Sequence, residues 1–340
     1  MNKKEESNRT PLAELSKVNG VVRPASSTYL CKPITMSSSK RKLEVYRDEP
    51  AKKPKLLEQT FKFEDNINDV SEYSSEIFRN IFQSEDQTVP THNYLTDDSS
   101  EYYLRSSMRS ILIDWLIDVH ANFKCLPETL LLAINILDRF FSSNKVPVSK
   151  LQLVAVTSLF IACKYEEVQL PKITNFAYIT DGAATVEDIR QAEINILENL
   201  RFNINWPNPL NFLRRLSKLD DYNYELRDIA KFVLEFIMCT HYFVDYKPSF
   251  ISAMAVYLSK QICDVNDDED ITAVRWTKQH TELSGGIDPE NNIKFKKSLQ
   301  TIIKEFGSPS SSTKSLLNKY KSKNRYGMLF RVQDWCLNYQ

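Results

Sequence analysis

Residues 151–165 read LQLVAVTSLFIACKY, and this stretch decides the fold. On a period of about 3.6 residues, apolar side chains cover nearly the whole circumference, and only Gln152, Thr157 and Ser158 interrupt them before Lys164. A helix that is apolar on all sides is buried, and the run is shorter than the roughly 18 to 20 apolar residues that span a bilayer. The stretch therefore predicts a helix at the centre of a protein core and not a membrane span. We call it the hub helix.

Two capping boxes mark helix starts on either side of the hub's apolar run. Ser149 and Gln152 have the spacing of an N-cap and its third helical residue, which predicts the start of the hub helix. Thr185 and Asp188 have the same spacing and predict the start of a later helix.

That later helix carries a carboxylate, Glu193, in the middle of its apolar face. A buried carboxylate is costly unless a cation or hydrogen-bond donors meet it. Lys164, at the end of the hub helix, is the expected partner of Glu193.

Helical periodicity on both sides of the hub predicts an all-α protein. Helices are predicted at 107–123, from Pro127 to Phe141, and then at 211–219, 224–242, 248–263, 271–283 and 289–306. Small residues recur in the hub and again within 248–263, where they permit close helix contact, so two similar five-helix domains are expected. The helix at 107–123 is apolar beyond one stripe, because Ile113 and Ile117 lie off its main face. Either both sides of this helix are buried or part of it is a binding patch.

The first 60 residues are rich in Lys, Ser and Pro and lack periodicity, which predicts a disordered tail. Two basic clusters in this tail suit the acidic grooves of a nuclear import receptor, or phosphates; the alternative is a solvated run of linker charges. The clusters are Lys40, Arg41 and Lys42, followed by Lys52, Lys53 and Lys55.

After the tail, residues 70–82 predict an amphipathic helix whose stripe docks on the main domain or on a partner. The stripe consists of Tyr73, Ile77, Phe78 and Ile81.

Composition argues against most enzyme classes. The 340 residues carry 44 basic and 44 acidic side chains, so no global charge favours nucleic acid or a membrane surface. The six glycines form no phosphate-binding loop, and the six cysteines and four histidines lack the spacing of metal ligands. We expect reduced thiols, no cofactor and no metal, in a protein of the nucleus and cytoplasm without a signal-peptide pattern.

Four longer motifs resemble the cyclin box, most closely that of fungal B-type cyclins. They are MRSILIDWLIDVH from Met108, PETLLLAINILDRFF from Pro127, KLQLVAVTSLFIACKYEE from Lys150 and NPLNFLRR from Asn208. The resemblance implies two tandem five-helix cyclin folds and no catalytic activity. It implies a regulatory subunit that activates a cyclin-dependent serine/threonine kinase and recruits its substrates. The implied organisation is a regulatory tail at 1–60, a linker and helix at 61–100, a cyclin box at 101–207 and a second fold at 208–330.

The resemblance assigns residues to two binding surfaces. Lys164 and Glu193 match a charged pair that hydrogen-bonds the kinase. The alternative is an internal pair in which the two side chains bond only to each other. The apolar contacts beside the pair are assigned to Tyr165, Ile161, Leu197, Phe202 and Ile204. A hydrophobic patch that accepts Arg-x-Leu segments of substrates and inhibitors is assigned to Met108, Ile111, Leu112, Trp115, Asp118 and Gln152. The alternative for this patch is a purely structural core face.

The resemblance also assigns a structural ion pair and a degradation signal. Arg109 and Asp138 match a buried ion pair of the family. In the tail, Arg9, Leu12 and Leu15 match a destruction box for the anaphase-promoting ubiquitin ligase, although Lys17 stands where the motif usually has Asn. The alternative function is a cyclin-fold transcription factor, since the paired helical fold also occurs in basal factors, and it would require basic stripes on the folded domains.

Overall fold

The computed structural model describes residues 71–220, 223–264, 276–307, 313–321 and 326–339. Throughout these ranges the regular secondary structure is helical, which confirms the all-α prediction and its two tandem five-helix units. The helices are α1 Ser74–Thr88, α2 Ser106–Phe123, α3 Pro127–Ser143, α4 Leu151–Glu166, α5 Ile173–Ile179, α6 Val186–Asn199, α7 Pro209–Ser217, α8 Tyr224–Cys239, α9 Pro248–Asp264, α10 Lys278–Leu283, α11 Ile293–Gly307, α12 Lys314–Lys321 and α13 Tyr326–Asn338. The predicted tail at 1–60 lies outside the described residues.

Helix α4 is the hub of the first five-helix unit, which comprises α2 to α6. It packs against α3, α6, α2 and α5, and its residues from Leu153 to Cys163 are all buried. The two hydroxyls inside it are satisfied within the helix: Thr157 donates to the Leu153 carbonyl at 2.7 Å and Ser158 to the Val154 carbonyl at 2.8 Å. The polar interruptions of the apolar run therefore cost no unpaired hydrogen bond.

The start of the hub helix differs from the prediction. A 3-10 turn over Val148–Lys150 precedes α4, and no side chain caps the helix, so the capping box predicted at Ser149 and Gln152 is wrong. The amide of Leu151 donates to the Val148 carbonyl instead, so the turn satisfies this donor through the backbone. With this turn, Val148–Glu166 is long and apolar enough by length and composition to cross a membrane, and most of that span is buried within the fold, as in a core helix.

The second predicted capping box is confirmed. The Thr185 amide donates to the Asp188 carboxylate at 2.9 Å, and the Asp188 amide donates to Thr185 Oγ1 at 3.1 Å. Both donors at the start of α6 are therefore satisfied, which fixes the direction in which α6 presents Glu193.

Both sides of α2 are buried, which accounts for its wide apolar surface. Ile113 and Ile117 are covered, and α12 packs on α2. Asp114 caps the start of α12: its carboxylate accepts a hydrogen bond from the Ser315 amide at 2.8 Å and from the Ser315 hydroxyl at 3.0 Å. Periodicity did not predict α12, which begins after residues 308–312, a segment outside the described residues.

Helix α9 is the hub of the second five-helix unit, which comprises α7 to α11. It packs against α8 and α7, and Ser252 donates to the Pro209 carbonyl at 2.7 Å. The predicted helix at 211–219 begins earlier, at Pro209, because the Asn208 side chain caps it through the Leu210 amide at 3.1 Å. The helix predicted at 271–283 is described only as α10, and residues 271–275 lie outside the described residues.

The amphipathic helix ahead of the first unit docks on the second unit. Helix α1 begins at Ser74 after a 3-10 turn, and the ring centroid of Phe82 lies 5.0 Å from that of Phe212 in α7. Tyr73 and Ile77, which were expected in the docking stripe, remain exposed. The contact face is thus rotated toward Phe78 and Phe82, whose rings pack against Phe212 of α7.

Candidate functional site

A charged pair joins the end of the hub helix to α6. Lys164 Nζ lies 2.7 Å from Glu193 Oε1 and 2.9 Å from Oε2, and the same ammonium stands 4.4 Å from the ring centroid of Phe160. The Lys164 side chain is 42% exposed and the Glu193 side chain 15% exposed. Lys164 has three N–H donors and a carboxylate has about four lone-pair sites, so each group can bind a further partner without leaving the other.

A strained turn stands beside this pair. Arg201 and Phe202, which follow α6, both adopt left-handed backbone conformations, with φ of 52° and 56°. Such conformations are uncommon for residues other than glycine, and bulky side chains pay strain there. The Phe202 amide donates to the Leu197 carbonyl at 2.8 Å, which holds the turn, while the Phe202 side chain is 67% exposed. The turn thus presents an aromatic ring to solvent at a cost in strain, an arrangement that points to binding.

Apolar groups extend the surface around the charged pair. Tyr165 is about half exposed, and its hydroxyl donates to Asn205 Oδ1 at 3.2 Å, which connects the hub to the strained turn. Leu197 and Ile204 are half-buried against the core. We call Lys164, Tyr165, Glu193, Leu197, Phe202 and Ile204 the paired-charge surface.

One residue assigned to this surface is buried. Ile161 is 2% exposed and packs in the core of the first unit. It lies one helical turn before Tyr165, but the hub is covered on all sides at that level. Asn205 positions Tyr165, and Phe160 positions Lys164. Neither residue was predicted, because both contacts are tertiary and no local sequence pattern shows them.

The residues assigned to the Arg-x-Leu patch are only partly accessible. Leu112 is fully buried, and Met108 and Trp115 are nearly so, which places these three in the core face of α2. Ile111 and Gln152 are half-buried and Asp118 is exposed. The accessible members of the predicted patch are therefore Ile111, Gln152 and Asp118, which we call the Asp118 patch.

The other predicted site residues fall into two groups. Arg109 and Asp138 are buried and form an ion pair with Nη2 to Oδ2 of 2.7 Å. The destruction box and both basic clusters lie outside the described residues.

Within the described ranges, no group of three or more His, Cys, Asp or Glu side chains is arranged to hold a metal ion. His280 lies in a buried polar cluster with Asp220 and Lys260, and its ring also closes the capping box at the start of α10. Burial alone would raise the pKa of Asp220, but the His280 and Lys260 hydrogen bonds hold it below its ordinary value. All three side chains are almost fully buried, which places the cluster in the core of the second unit.

Comparison with known proteins gives a consistent result over both units. Residues 76–205 match the model of the cyclin N-terminal domain, and residues 207–333 match that of the cyclin C-terminal domain. S-phase entry cyclin-6 of Saccharomyces cerevisiae is 51% identical over 268 residues, which cover 78% of this chain and 68% of the relative. S-phase entry cyclin-5 of the same yeast is also 51% identical, with 60% of the relative covered. The G2/mitotic-specific cyclin cdc13 of Schizosaccharomyces pombe is 39% identical over 266 residues, with 52% of the relative covered.

Among solved structures, a viral cyclin from herpesvirus saimiri is similar in fold. The TM-score is 0.51 at 17% identity, and the match covers 66% of this chain and 94% of the viral chain. At this identity the likeness describes the fold alone.

Proposed function

This chain belongs to the cyclin family, and we propose that it binds and activates a cyclin-dependent serine/threonine kinase. Cyclins are regulatory subunits of kinases and not enzymes themselves, and this holds for the present chain as a family-level inference. Phosphoryl transfer, its magnesium ions and its catalytic groups would belong to the kinase. We also propose the domain division made from the sequence, with the cyclin box at 101–207 and the second fold at 208–330.

The observation that carries the proposal is the paired-charge surface. A charged pair with unused hydrogen-bonding capacity stands next to an exposed aromatic ring on a strained turn, and an exposed tyrosine lies beside both. Binding sites between proteins combine aromatic anchors with a few well-placed polar groups in this way. Lys164 and Glu193 would hydrogen-bond the kinase, while Tyr165 and Phe202 would bury apolar area against it.

Activation follows if the surface fits only one state of the kinase. A ligand shifts a conformational equilibrium by the difference between its affinities for the two states. A preformed surface suits this role because little side-chain entropy is lost when it binds. The Lys164–Glu193 pair and the hydrogen bond between Tyr165 and Asn205 hold three of its side chains in place before binding.

We propose that the Asp118 patch recruits Arg-x-Leu substrates and inhibitors. Asp118 is exposed at the edge of α2, where its carboxylate can meet the arginine of such a segment through a charge-assisted hydrogen bond. The half-buried Ile111 offers apolar area for the leucine. The buried Met108, Leu112 and Trp115 would shape the floor of this patch and contact the ligand only at their edges.

Roles for the tail are proposed from its motifs. Arg9, Leu12 and Leu15 would direct the protein to the anaphase-promoting ubiquitin ligase, and the two basic clusters would bind a nuclear import receptor, giving a distribution between nucleus and cytoplasm. The chain is 51% identical to two S-phase entry cyclins over 268 residues and 46% identical to the G2/mitotic-specific cyclin CLB2 of Candida albicans over 193 residues, which supports a role at S-phase entry.

Binding of a purified, monomeric cyclin-dependent kinase to the full chain tests the proposal. We expect tight binding that Glu193→Ala weakens by at least tenfold, because truncating one partner of a desolvated charged contact typically costs about 2 to 5 kcal/mol. Glu187→Ala is the matched control: Glu187 pairs with Arg190 on the same helix, but both side chains are well exposed. Equal affinity of both variants would contradict the assignment of the surface. Failure of the intact chain to bind, together with salt-dependent binding to DNA, would favour the transcription-factor alternative.

A further inference from the structure

Two cysteines that are far apart in sequence meet at the end of the hub helix. Cys125 Sγ lies 3.6 Å from Cys163 Sγ, although 38 positions separate the residues. Cys163 is buried in the last turn of α4, whereas Cys125 is half-buried in the turn between α2 and α3. The sulfur atoms of a disulfide are about 2.05 Å apart, so closure requires a relative movement of roughly 1.5 Å.

The turn that carries Cys125 is the part that can make this movement. Lys124 ends α2 in a left-handed conformation, and the Cys125 amide donates to the His120 carbonyl at 3.4 Å, a long hydrogen bond. The next residue is held near the hub, because the Leu126 amide donates to Glu167 Oε1 at 2.6 Å. The turn is therefore kept close to Cys163 by a contact that does not involve either sulfur.

The two thiols differ in acidity and access. A hydrogen bond from Cys163 lowers the pKa of Cys125, although partial burial and the nearby Glu167 carboxylate act in the opposite direction. The same hydrogen bond and burial raise the pKa of Cys163. The more accessible cysteine is thus also the one that loses its proton first, as in a pair with an attacking and a resolving thiol.

We propose that Cys125 and Cys163 form a modification site for hydroperoxides, which oxidise the pair to a reversible disulfide. The Cys125 thiolate attacks one peroxide oxygen; an S–O bond forms, the O–O bond breaks and hydroxide leaves. Cys163 sulfur then attacks Cys125 sulfur; the S–S bond forms, the S–O bond breaks, and the hydroxyl group leaves with the Cys163 proton as water. The hydroxide from the first step takes up the proton that Cys125 released and becomes the second water. Together the two thiols lose two electrons and two protons, and one hydrogen peroxide becomes two molecules of water.

The disulfide would connect the turn between α2 and α3 to the hub covalently. A crosslink across this separation restricts the unfolded chain and so raises the melting temperature of the oxidised protein. In the reducing conditions of the nucleus and cytoplasm, thiol exchange would restore the free pair, so the link would form only during oxidation. The pair would protect Cys125 from further oxidation, because Cys163 removes the sulfenic acid as it forms.

The test uses the full chain treated with stoichiometric hydrogen peroxide and analysed by intact mass and peptide mapping. We expect the wild type to lose two hydrogen atoms, a crosslink between the peptides that contain Cys125 and Cys163, reversal by dithiothreitol, and a melting temperature that rises by several degrees. Cys31→Ser is the matched control, because it removes a cysteine outside the described residues, and it should still form the crosslink. In Cys163→Ala, Cys125 should accumulate as a sulfenic acid that dimedone traps.

Three outcomes would overturn the proposal. They are the absence of a crosslink under peroxide, a crosslink that connects Cys31 as readily as Cys163, and oxidation of Cys125 in the wild type directly to the sulfinic acid. Cys125→Ser, which changes a half-buried position, keeps the test independent of any folding defect in Cys163→Ala: it should lose both the crosslink and the rise in melting temperature. A rise that persists in Cys125→Ser would likewise contradict the assignment.

Discussion

Arg109 and Asp138 form a buried, bidentate ion pair in which Arg109 Nη2 lies 2.7 Å from Oδ2 and Nε lies 2.8 Å from Oδ1. The remaining donors of Arg109 bind the C-terminal end of α8 in the second unit: Nη1 donates to the carbonyls of Cys239 and Thr240 at 3.0 Å each. The carboxylate also accepts a hydrogen bond from the Tyr94 hydroxyl at 2.7 Å. One guanidinium therefore joins the two five-helix units.

Arg109→Met should be strongly destabilising. It leaves the Asp138 carboxylate buried without its cation and removes a cap from the carbonyls of α8, so the free energy of unfolding should fall by about 3 to 5 kcal/mol. Urea denaturation measures this loss. Arg190→Met is the control, since Arg190 pairs with Glu187 at the surface and such pairs contribute about 0 to 1 kcal/mol. Similar losses in the two variants would show that the buried pair does not hold the units together.

Substitutions at two adjacent glycines can test whether α1 packs where the structure places it. Gly285 and Gly286 both have left-handed backbones, with φ of 84° and 88°, so alanine is strained at either position. A Cβ at Gly285 would stand 2.8 Å from the Phe82 ring of α1, whereas a Cβ at Gly286 would meet nothing within 4 Å. Gly285→Ala should therefore lower the free energy of unfolding by about 1 to 3 kcal/mol more than Gly286→Ala, as measured in urea. Equal losses would mean that α1 is not seated there.

Glu85 should make stability depend on pH. Its buried carboxylate accepts hydrogen bonds from the Ser249 amide and hydroxyl at 2.6 and 2.9 Å, yet burial outweighs them and raises its pKa above the ordinary value of 4.5. A carboxyl with a raised pKa in the folded state contributes its stability below the unfolded pKa and loses it as pH rises through the folded pKa.

The stability advantage of the wild type over Glu85→Gln should therefore shrink as pH rises from below 4.5 toward neutrality. Chemical denaturation across this range measures the difference. Glu76→Gln, on the exposed face of the same helix, provides the reference for effects of charge on α1 as a whole. An advantage that grows with pH would contradict the burial argument.

The Asp118 patch makes a prediction about substrate choice. Asp118→Lys should weaken binding of an Arg-x-Leu peptide by about tenfold, because it replaces an attraction with a repulsion for the arginine. Phosphorylation of a protein with an Arg-x-Leu segment should fall accordingly, while a short peptide without the segment should be phosphorylated at the normal rate. Glu187→Lys controls for the change in net charge. Equal losses on both substrates would refute selective docking.

The helices could be predicted from the sequence where the local residue pattern agrees with how the helix packs in the fold. The hub helix is apolar all round, and this property has one physical outcome, burial. Glu193 was recognisable as an anomaly on an apolar face, and the need to compensate its charge pointed to Lys164, with which it forms a hydrogen-bonded pair. The capping box of α6 is local and was predicted correctly.

What escaped prediction depends on contacts between distant residues. Helix α12 is short and rich in lysine, and its start is fixed by Asp114, 201 positions away from Ser315. The hub begins after a 3-10 turn in which the Leu151 amide donates to the Val148 carbonyl, and no side chain caps the helix. Met108 and Trp115 looked like surface anchors, but packing covers them. The proximity of Cys125 and Cys163 is a consequence of how α2 and α3 meet the hub, and no spacing rule encodes it.

The most direct test of the central claim is the activity of a purified, monomeric cyclin-dependent kinase with the full chain, with Lys164→Ala and with the control Arg190→Ala. We expect strong activation by the wild type and by Arg190→Ala. At limiting concentration of the regulatory chain, kinase activity with Lys164→Ala should be at least tenfold lower. The melting temperature of Lys164→Ala should stay close to that of the wild type, because the lost ion pair is partly exposed. Full activation by Lys164→Ala would show that the charged pair serves only the fold, and no activation by the wild type would contradict the proposed function itself.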